Sequence, residues 1–570
     1  MGLVLRRRPD LVVVSQPPPE PNVAERRAQM FPQLSPAQLA RLRTQGTTRT
    51  ARQGDVLIEQ GSRDAPMFVV LEGELAIVHP EGPGERVVTV HHAHEFTGET
   101  NMVTGRRSLV RARAQTDASL LEIPRDRLRA IVQNDSELSE LFLRAFILRR
   151  LGLIASSQGD AVLVGSRHSA ATLRIQEFLT RNGHPHVYVD VDRDEHVQDM
   201  LDAFHVGIDD IPILVCNGTR VLKNPSDAEV AECLGLNATI DETMVHDVVV
   251  VGGGPAGLAA AVYAASEGLD VLVIEPHAPG GQAGSSSKIE NYLGFPTGIS
   301  GAALAGRAFT QAEKFGAEIL IGHAAVRLHC DQKPYEVELS GGNKVRAKAI
   351  VIAAGVRYRK PELEGLARFE GVGIYYGATH IEAQRCDGDE VVIVGGGNSA
   401  GQAAVFLAQN VRHVHILVRG PGLAESMSRY LIRRIEETPN ITLRPRTQIV
   451  GLAGGDHLES IEVQDAATET RRTLPVRHVF MMTGAVPNTR WLDGCVALDE
   501  KGFIKAGLDL TADDLRHEQW PLKRAPSHLE TSLPAVFAVG DVRANSTKRV
   551  ASAVGEGSVC IQLVHRAIAE

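Results

Sequence analysis

The sequence predicts a multidomain fold: an N-terminal β-jelly-roll, a compact α/β module and, beyond residue 245, two larger α/β domains. Three observations predict it. Short β-like runs alternate with glycine turns between Phe31 and Asp126, as in Met67–Val78 (MFVVLEGELAIV) and Arg86–His92 (RVVTVHH). From Ala161 to Leu236 strand-like and helix-like stretches alternate: AVLVG, ATLRIQEFLTRNG, HVYVDVD, a further helix, then IPILV. A strand–glycine–helix signature then occurs twice, as VVVVGGGPAG and VVIVGGGNSA.

The remaining stretches fit around these. Residues 1–27 are proline-rich and read as a disordered tail. Ser136–Ile154 is helix-like, with Leu138, Leu141, Phe142, Ala145, Phe146 and Leu151 at helical spacing. LGLIASSQGD follows as a linker. The chain has 570 residues, which suggests about three or four domains. Its 43% hydrophobic and 23% charged residues are an ordinary globular balance. The net charge of −9 argues against non-specific nucleic-acid binding. No apolar run approaches the roughly 18–20 residues that span a bilayer. The N-terminus, MGLVLRRRPDLVVV, shows no cleavage site of the secretory kind, so the expected location is the cytoplasm. The six cysteines, Cys216, Cys233, Cys330, Cys386, Cys495 and Cys560, form no CxxC pair and no zinc-ligand spacing. Six buried thiols and no metal site are expected.

The first glycine signature lies in Asp247–Glu275. Gly252, Gly254 and Gly257, with Pro255 and Ala256 between them, make GxGxxG between a buried strand and a helix. The three glycines serve a tight turn, close approach to a pyrophosphate and close helix–strand packing. The helix start offers amides and its positive dipole end to phosphate. Glu275 ends the second strand, where an acid accepts from adenosine ribose hydroxyls. The second signature, Val391–Gly420, has Gly395, Gly397 and Ala400 as GxGxxA, enclosing Asn398 and Ser399. Where an NAD site would carry an acid stands Arg419, which suits a 2′-phosphate and favours NADPH. Arg429, Arg433 and Arg434 follow on a helix and read as a solvated face.

Beyond these loops come PGGQ (Pro279–Gln282), KIENYLGFP with Asn291, VIAAG (Val351–Gly355), VFAVGDV with Gly540 and Asp541, and KRVASAVGEG. In this order they resemble the bacterial thioredoxin reductases among the flavoprotein pyridine-nucleotide-disulfide reductases. The resemblance implies two Rossmann-like domains, FAD at the first loop and NADPH at the second. It implies an FAD domain of residues 245–363 and 491–570, an NADPH domain of residues 364–490, and a homodimer. Asp541 would bond the ribityl or ribose chain. Gly281, Gln282, Asn291, Ala354, Gly355, Gly540 and the Arg549–Val550 backbone would line the flavin.

The sequence departs from that family at its dithiol. The family carries a YCATCDG-like motif before its NADPH strand, but here the stretch reads YYGATHIEAQRCDGDE. Gly377 and His380 stand at the two cysteine positions. Aligning Cys386 instead leaves Ala383 at the other position. Without an attacking thiolate and a resolving thiol, disulfide reduction by the usual route is not expected.

Two upstream resemblances complete the reading. Residues 160–240 resemble a thioredoxin or glutaredoxin domain in which Ser166 and Ser169 replace the CxxC, with Ile211–Pro212 at the cis-proline position. Arg167 and His168 at the helix start are expected to be solvent-exposed. Residues 28–157 resemble a cyclic-nucleotide-binding domain, through FTGETNMVTGRRS. Gly98, Glu99, Arg107 and Ser108 would form its phosphate cassette, with Glu99 accepting from the ribose 2′-hydroxyl and Arg107 pairing with the cyclic phosphate. FTGE in place of FGE, and Leu109 in place of alanine, depart from that pattern. The expected activity is an NADPH:acceptor reductase, passing hydride to FAD and electrons to a small-molecule or protein acceptor. His380 is the candidate acid/base group, and a cyclic nucleotide the candidate effector. A ferredoxin- or flavodoxin-type NADP reductase and a redox- and nucleotide-sensing signalling protein are the alternatives.

Overall fold

The computed structural model describes residues 23–570 except 82–83, 99, 105, 156–160, 168, 193–209, 217–219, 493 and 518–519. The jelly roll comprises two antiparallel sheets. Thr47–Ala51, Ala118–Ile123 and Met67–Glu72 form one; Val56–Ile58, Arg111–Ala114, Leu75–Glu81 and Gly84–His91 form the other. The inward faces meet around Met67, Phe68, Val69, Leu75 and Leu120, all buried. Ser136–Ala155 folds as one helix. It buries Leu138, Phe142, Ala145 and Phe146, and half-buries Leu141, against this core, as its spacing predicts. Phe96 and Phe142 meet edge to face at 4.8 Å. The expected tail is shorter than read: residues 23–27 belong to a helix, Val23–Met30, whose last carbonyl accepts from Arg149 Nε at 2.9 Å. Tertiary packing orders a stretch whose composition alone reads as unstructured.

The next module has a four-stranded sheet in the order Arg220–Lys223, Ile213–Cys216, Ala161–Gly165, His186–Asp190, with the last pair parallel. Helices Ala170–Arg181 and Asp227–Leu234 pack on it. The Ile211–Pro212 bond is cis. The helix expected between HVYVDVD and IPILV, and His168, lie outside the described residues.

The first nucleotide-type domain is a sheet in the order Glu318–Ile321, Val271–Glu275, Val245–Val251, Lys344–Ile352, extended by the antiparallel strands Tyr335–Leu339 and Ala325–His329. Val536–Ala538, from near the C-terminus, pairs in parallel with Lys344–Ile352. The central strands read as continuous apolar runs because they are buried along almost their whole length. The second domain has five parallel strands: Ile374–Tyr375, His478–Met481, Glu390–Val394, His413–Leu417 and Ile441–Arg444. The chain leaves for it along Val356–Tyr358 and returns along Ala485–Pro487, and these strands pair antiparallel.

The cysteine expectation is corrected. Cys216 and Cys233 are disulfide-bonded, as are Cys330 and Cys495; Cys386 and Cys560 are buried thiols. The partners lie 17 and 165 residues apart, separations that leave no local motif to read.

Candidate functional site

The first glycine loop closes the strand Val245–Val251 onto the helix Pro255–Ser266. Gly252 has φ 108°, and a Cβ there would lie 2.3 Å from the Ala353 carbonyl oxygen. A Cβ on Gly257 would lie 1.8 Å from the Gly252 oxygen, so helix and strand meet too closely for any side chain. Gly254 is different: its nearest neighbour would be Gly281 Cα at 4.0 Å. The helix starts at Gly254 with no side-chain cap, whereas the helices that start at Ser169, Ser226 and Ser300 each have one. Its amides and dipole therefore face an open, glycine-lined cradle that fits a pyrophosphate. Glu275, 5% exposed, accepts from the amides of Gly253 (2.8 Å), His277 (2.9 Å) and Ala278 (3.1 Å), so it also ties the loop in place.

Other expected residues gather on this rim. The Gly280 amide donates to the Gly253 oxygen at 2.7 Å, bringing Gly281 against Gly254. Gln282 Nε2 donates to the Val356 oxygen at 2.6 Å, while Asn291 is exposed. Ala354 and Gly355 are held by Asn488, whose Nδ2 and amide donate to their carbonyls at 2.8 and 3.1 Å. The Gly540 amide donates to Glu556 Oε2 at 2.7 Å, and a Cβ on Gly540 would lie 2.9 Å from Ala256 Cβ. Burial pushes the Asp541 carboxyl above the usual carboxylate range, and Lys548 Nζ donates to its carbonyl oxygen. Arg549 and Val550 open the helix Val550–Ala569, which crosses the first helix where Gly557 meets the Ala256 oxygen.

The second loop repeats this design. Gly395 has φ 144° and stands against the Met482 oxygen, Gly397 has no neighbour within 4 Å of a Cβ position, and Ala400 is buried. The helix Asn398–Leu407 also starts at a glycine without a side-chain cap. Asn398 Oδ1 accepts from the Ser428 amide at 2.7 Å, and Arg419 is exposed. Arg434 Nη1 pairs with Glu290 at 2.8 Å, while Arg429 and Arg433 are exposed. Tyr358, on the outgoing connection, packs against the core of the second domain, and burial raises its pKa. The sequence reading missed it and Asn488, because only the pairing of the two connections brings them here.

Comparison with known proteins decides the family at this point. Residues 246–557 match the model of pyridine nucleotide-disulphide oxidoreductases. The chain belongs to that family. Within it, a thioredoxin reductase of Bacillus subtilis (strain 168) is 30% identical over 335 residues, covering 58% of this chain and 97% of the relative. Crystal structures of the thioredoxin reductases of T. acidophilum and Lactococcus lactis (FR conformation) are similar with a TM-score of 0.51 each. Their identities are 28% and 25%; each comparison covers 57% of this chain and 99% of the other. Residues 48–135 match the cyclic nucleotide-binding domain. The chain is thus a thioredoxin reductase-like oxidoreductase that uses a flavin and a pyridine nucleotide and carries an N-terminal cyclic nucleotide-binding domain. No described helix is long and apolar enough to cross a membrane, and the described residues hold no group of metal ligands.

This oxidoreductase has no thiol pair at the family's dithiol position. Gly377 faces open space, and His380 opens the helix His380–Arg385; nothing is described of its side chain. The helix is capped by Glu382, which accepts from the Thr379 amide at 2.8 Å. Cys386 is fully buried, and burial pushes its thiol far above the ordinary range, so it is held as an unreactive thiol. Leu173, on the helix Ala170–Arg181, packs among Tyr375, Ala378, Ala383 and Cys386. Ser169 caps that helix, and Ser166 donates to Asp192 at 2.7 Å.

In the barrel, the expected phosphate cassette is corrected at one residue. Gly98 and Ser108 line a cavity of about 510 Å³, and Glu99 lies outside the described residues. Arg107 does not reach the cavity: its Nη1 donates to the Cys233 oxygen at 3.3 Å, and its stem packs on Gly235 of the next module. Its neighbour Arg106 lines the cavity instead. Two adjacent arginines on an irregular segment point opposite ways, and the module that receives each decides which.

Proposed function

We propose that this chain is an NADPH:acceptor oxidoreductase with bound FAD, acting on an electron acceptor other than a thioredoxin disulfide. The observation that carries this is the pair of open glycine cradles, beside a segment with no thiol pair. The loop of Gly252, Gly254, Pro255, Ala256 and Gly257 would hold the FAD pyrophosphate through its backbone N–H groups, Pro255 having none and only shaping the turn; Glu275 would take the adenosine ribose, and Asp541 the flavin's polyol chain. Gly281, Gln282, Asn291, Ala354, Gly355, Gly540, Arg549 and Val550 would wall the ring. Gly395, Gly397, Asn398, Ser399 and Ala400 would hold the NADPH pyrophosphate, with Arg419 on the 2′-phosphate. When bound, FAD supplies the two-electron relay between NADPH and the acceptor. The protein's part is to orient the two nucleotides and exclude water. His380 is the group we assign to proton transfer at the acceptor face.

In this reading the domains are those drawn from the sequence: 28–157, 160–240 (thioredoxin-like without CxxC), 245–363 with 491–570, and 364–490. The barrel is an effector domain for a cyclic nucleotide, the enzyme a cytoplasmic homodimer. Because Cys386 is buried and unreactive, a one-electron carrier of ferredoxin or flavodoxin type is the second reading of the acceptor. Purified protein is expected to be yellow and to bleach anaerobically faster with NADPH than with NADH. A folded chain that takes up no FAD would end this reading; turnover of a thioredoxin disulfide would end the acceptor assignment.

A further inference from the structure

The two sheets of the barrel and the helices Val23–Met30 and Ser136–Ala155 enclose the cavity of about 510 Å³, a size within the usual range of small-molecule sites. Much of its wall is apolar, including Ile58, Ile77, Val88, Val90, Met102 and Leu153. One end is cationic. Arg149, from the long helix, lines the cavity and is only 8% exposed. Its Nε donates to the Met30 oxygen and its Nη1 to the Gly98 oxygen, each at 2.9 Å. Its guanidinium lies over the Phe96 and Phe31 rings, at 4.8 and 5.2 Å. Its Nη2 has no partner.

No carboxylate pairs with Arg149 among the described residues. Glu95, the acid whose charge reaches it, accepts from the His92 amide at 3.1 Å and lies 3.4 Å from His91 Nδ1. Burial pulls the Arg149 pKa down to about 9, the mark of a desolvated cation. A buried cation with an unpartnered N–H group is costly unless an anion completes it. Arg106 reaches the same cavity, but its guanidinium lies over Phe309 at 4.7 Å and beside Glu313 at 3.5 Å, both on the helix Gly301–Phe315 of the reductase half.

We propose that the barrel cavity receives a small organic monoanion with an apolar body, and that Arg149, not Arg107, is the residue that binds its charge. One buried guanidinium with one unpartnered nitrogen matches a single negative charge, and the apolar walls match the body behind it. A cyclic nucleotide and a medium-chain carboxylate share this chemistry. The inference rests on reading the barrel as an effector domain and deepens it by naming the charge-binding residue; it is independent of the flavin chemistry.

The test is calorimetric titration of the full-length flavoprotein with two matched pairs of probes: cyclic AMP against adenosine, and octanoate against 1-octanol. At least one anion is expected to bind, and its neutral counterpart to bind at least about 10-fold more weakly. Arg149→Met is expected to weaken the bound anion by about 10- to 100-fold, Arg149→Lys to restore part of it, and Arg107→Met to leave it unchanged. If Arg149→Met does not fold, Arg149→Lys and Arg107→Met decide: anion affinity must fall in the first and stay at the wild-type level in the second. Octanoate binding without cyclic AMP would overturn the nucleotide effector and keep the anion pocket. The proposal falls if neither anion binds, if the neutral probes bind as tightly, or if a folded Arg149→Met protein keeps wild-type affinity.

Discussion

Gly257 leaves no space for even a methyl group, because the position of its Cβ is taken by the Gly252 carbonyl. Gly257→Ala must therefore displace the loop that cradles the pyrophosphate. We expect it to cost roughly 2–3 kcal/mol of stability and to lower flavin content per chain, read by thermal melting and by absorbance. A second residue sets a pH dependence. Burial holds His91 down to about 4, against an ordinary 6.5, so the folded barrel keeps it neutral while the unfolded chain protonates it. The unfolded state then binds more protons, and stability is lost as pH falls from 6.5 towards 4, with a slope of up to about 1.4 kcal/mol per pH unit from this group. Denaturant melts of wild type and His91→Gln across that window should differ in slope; equal slopes would contradict the assignment.

At the scale of elements, the two glycine-started helices carry the nucleotide design, and Arg419 follows two residues after the strand His413–Leu417. Arg419→Ser is expected to reduce the preference for NADPH over NADH by about 10-fold in kcat/KM for flavin reduction, with little change in the NADH rate. These elements were legible because their signals are local: apolar strands, glycines at fixed offsets, and an acid or a base at the strand end. The failures share a different cause. Arg106 and Arg107 are adjacent, and only their long-range partners, Phe309 for one and Cys233 for the other, tell them apart. Tyr358 and Asn488 join the site through the pairing of strands more than a hundred residues apart in sequence. Cys330 and Cys495 pair across a comparable distance. Helical pattern did find the buried face of Ser136–Ala155, but composition misjudged residues 23–27, which belong to the helix Val23–Met30 that meets it through Arg149.

For the molecule as a whole, the helix Ala170–Arg181 is the seam. Its first residue abuts Gly371, its Leu173 enters the core beside Cys386, and at its far end Arg181 Nη2 donates to the Gly281 oxygen at 2.8 Å. Leu173→Asp would place an unpaired carboxylate in that core. We expect it to cost roughly 3 kcal/mol, measured as a lower melting temperature, and flavin content to be retained if the seam opens without disturbing the FAD rim. The same module reaches further: Leu163, Ile175, Leu214 and Val230 belong to one continuous apolar cluster with Val248, Ile274 and Ile350 of the first nucleotide-type domain. The thioredoxin reductase of Bacillus subtilis matches 58% of this chain. A comparable fragment cut from this protein before Val245 would carry the inner wall of a shared core on its outside. Heredity and engineering meet a colloidal limit here: the reductase half can be compared on its own, but once excised it should need a detergent, a chaperone or the missing half supplied in trans to stay in solution.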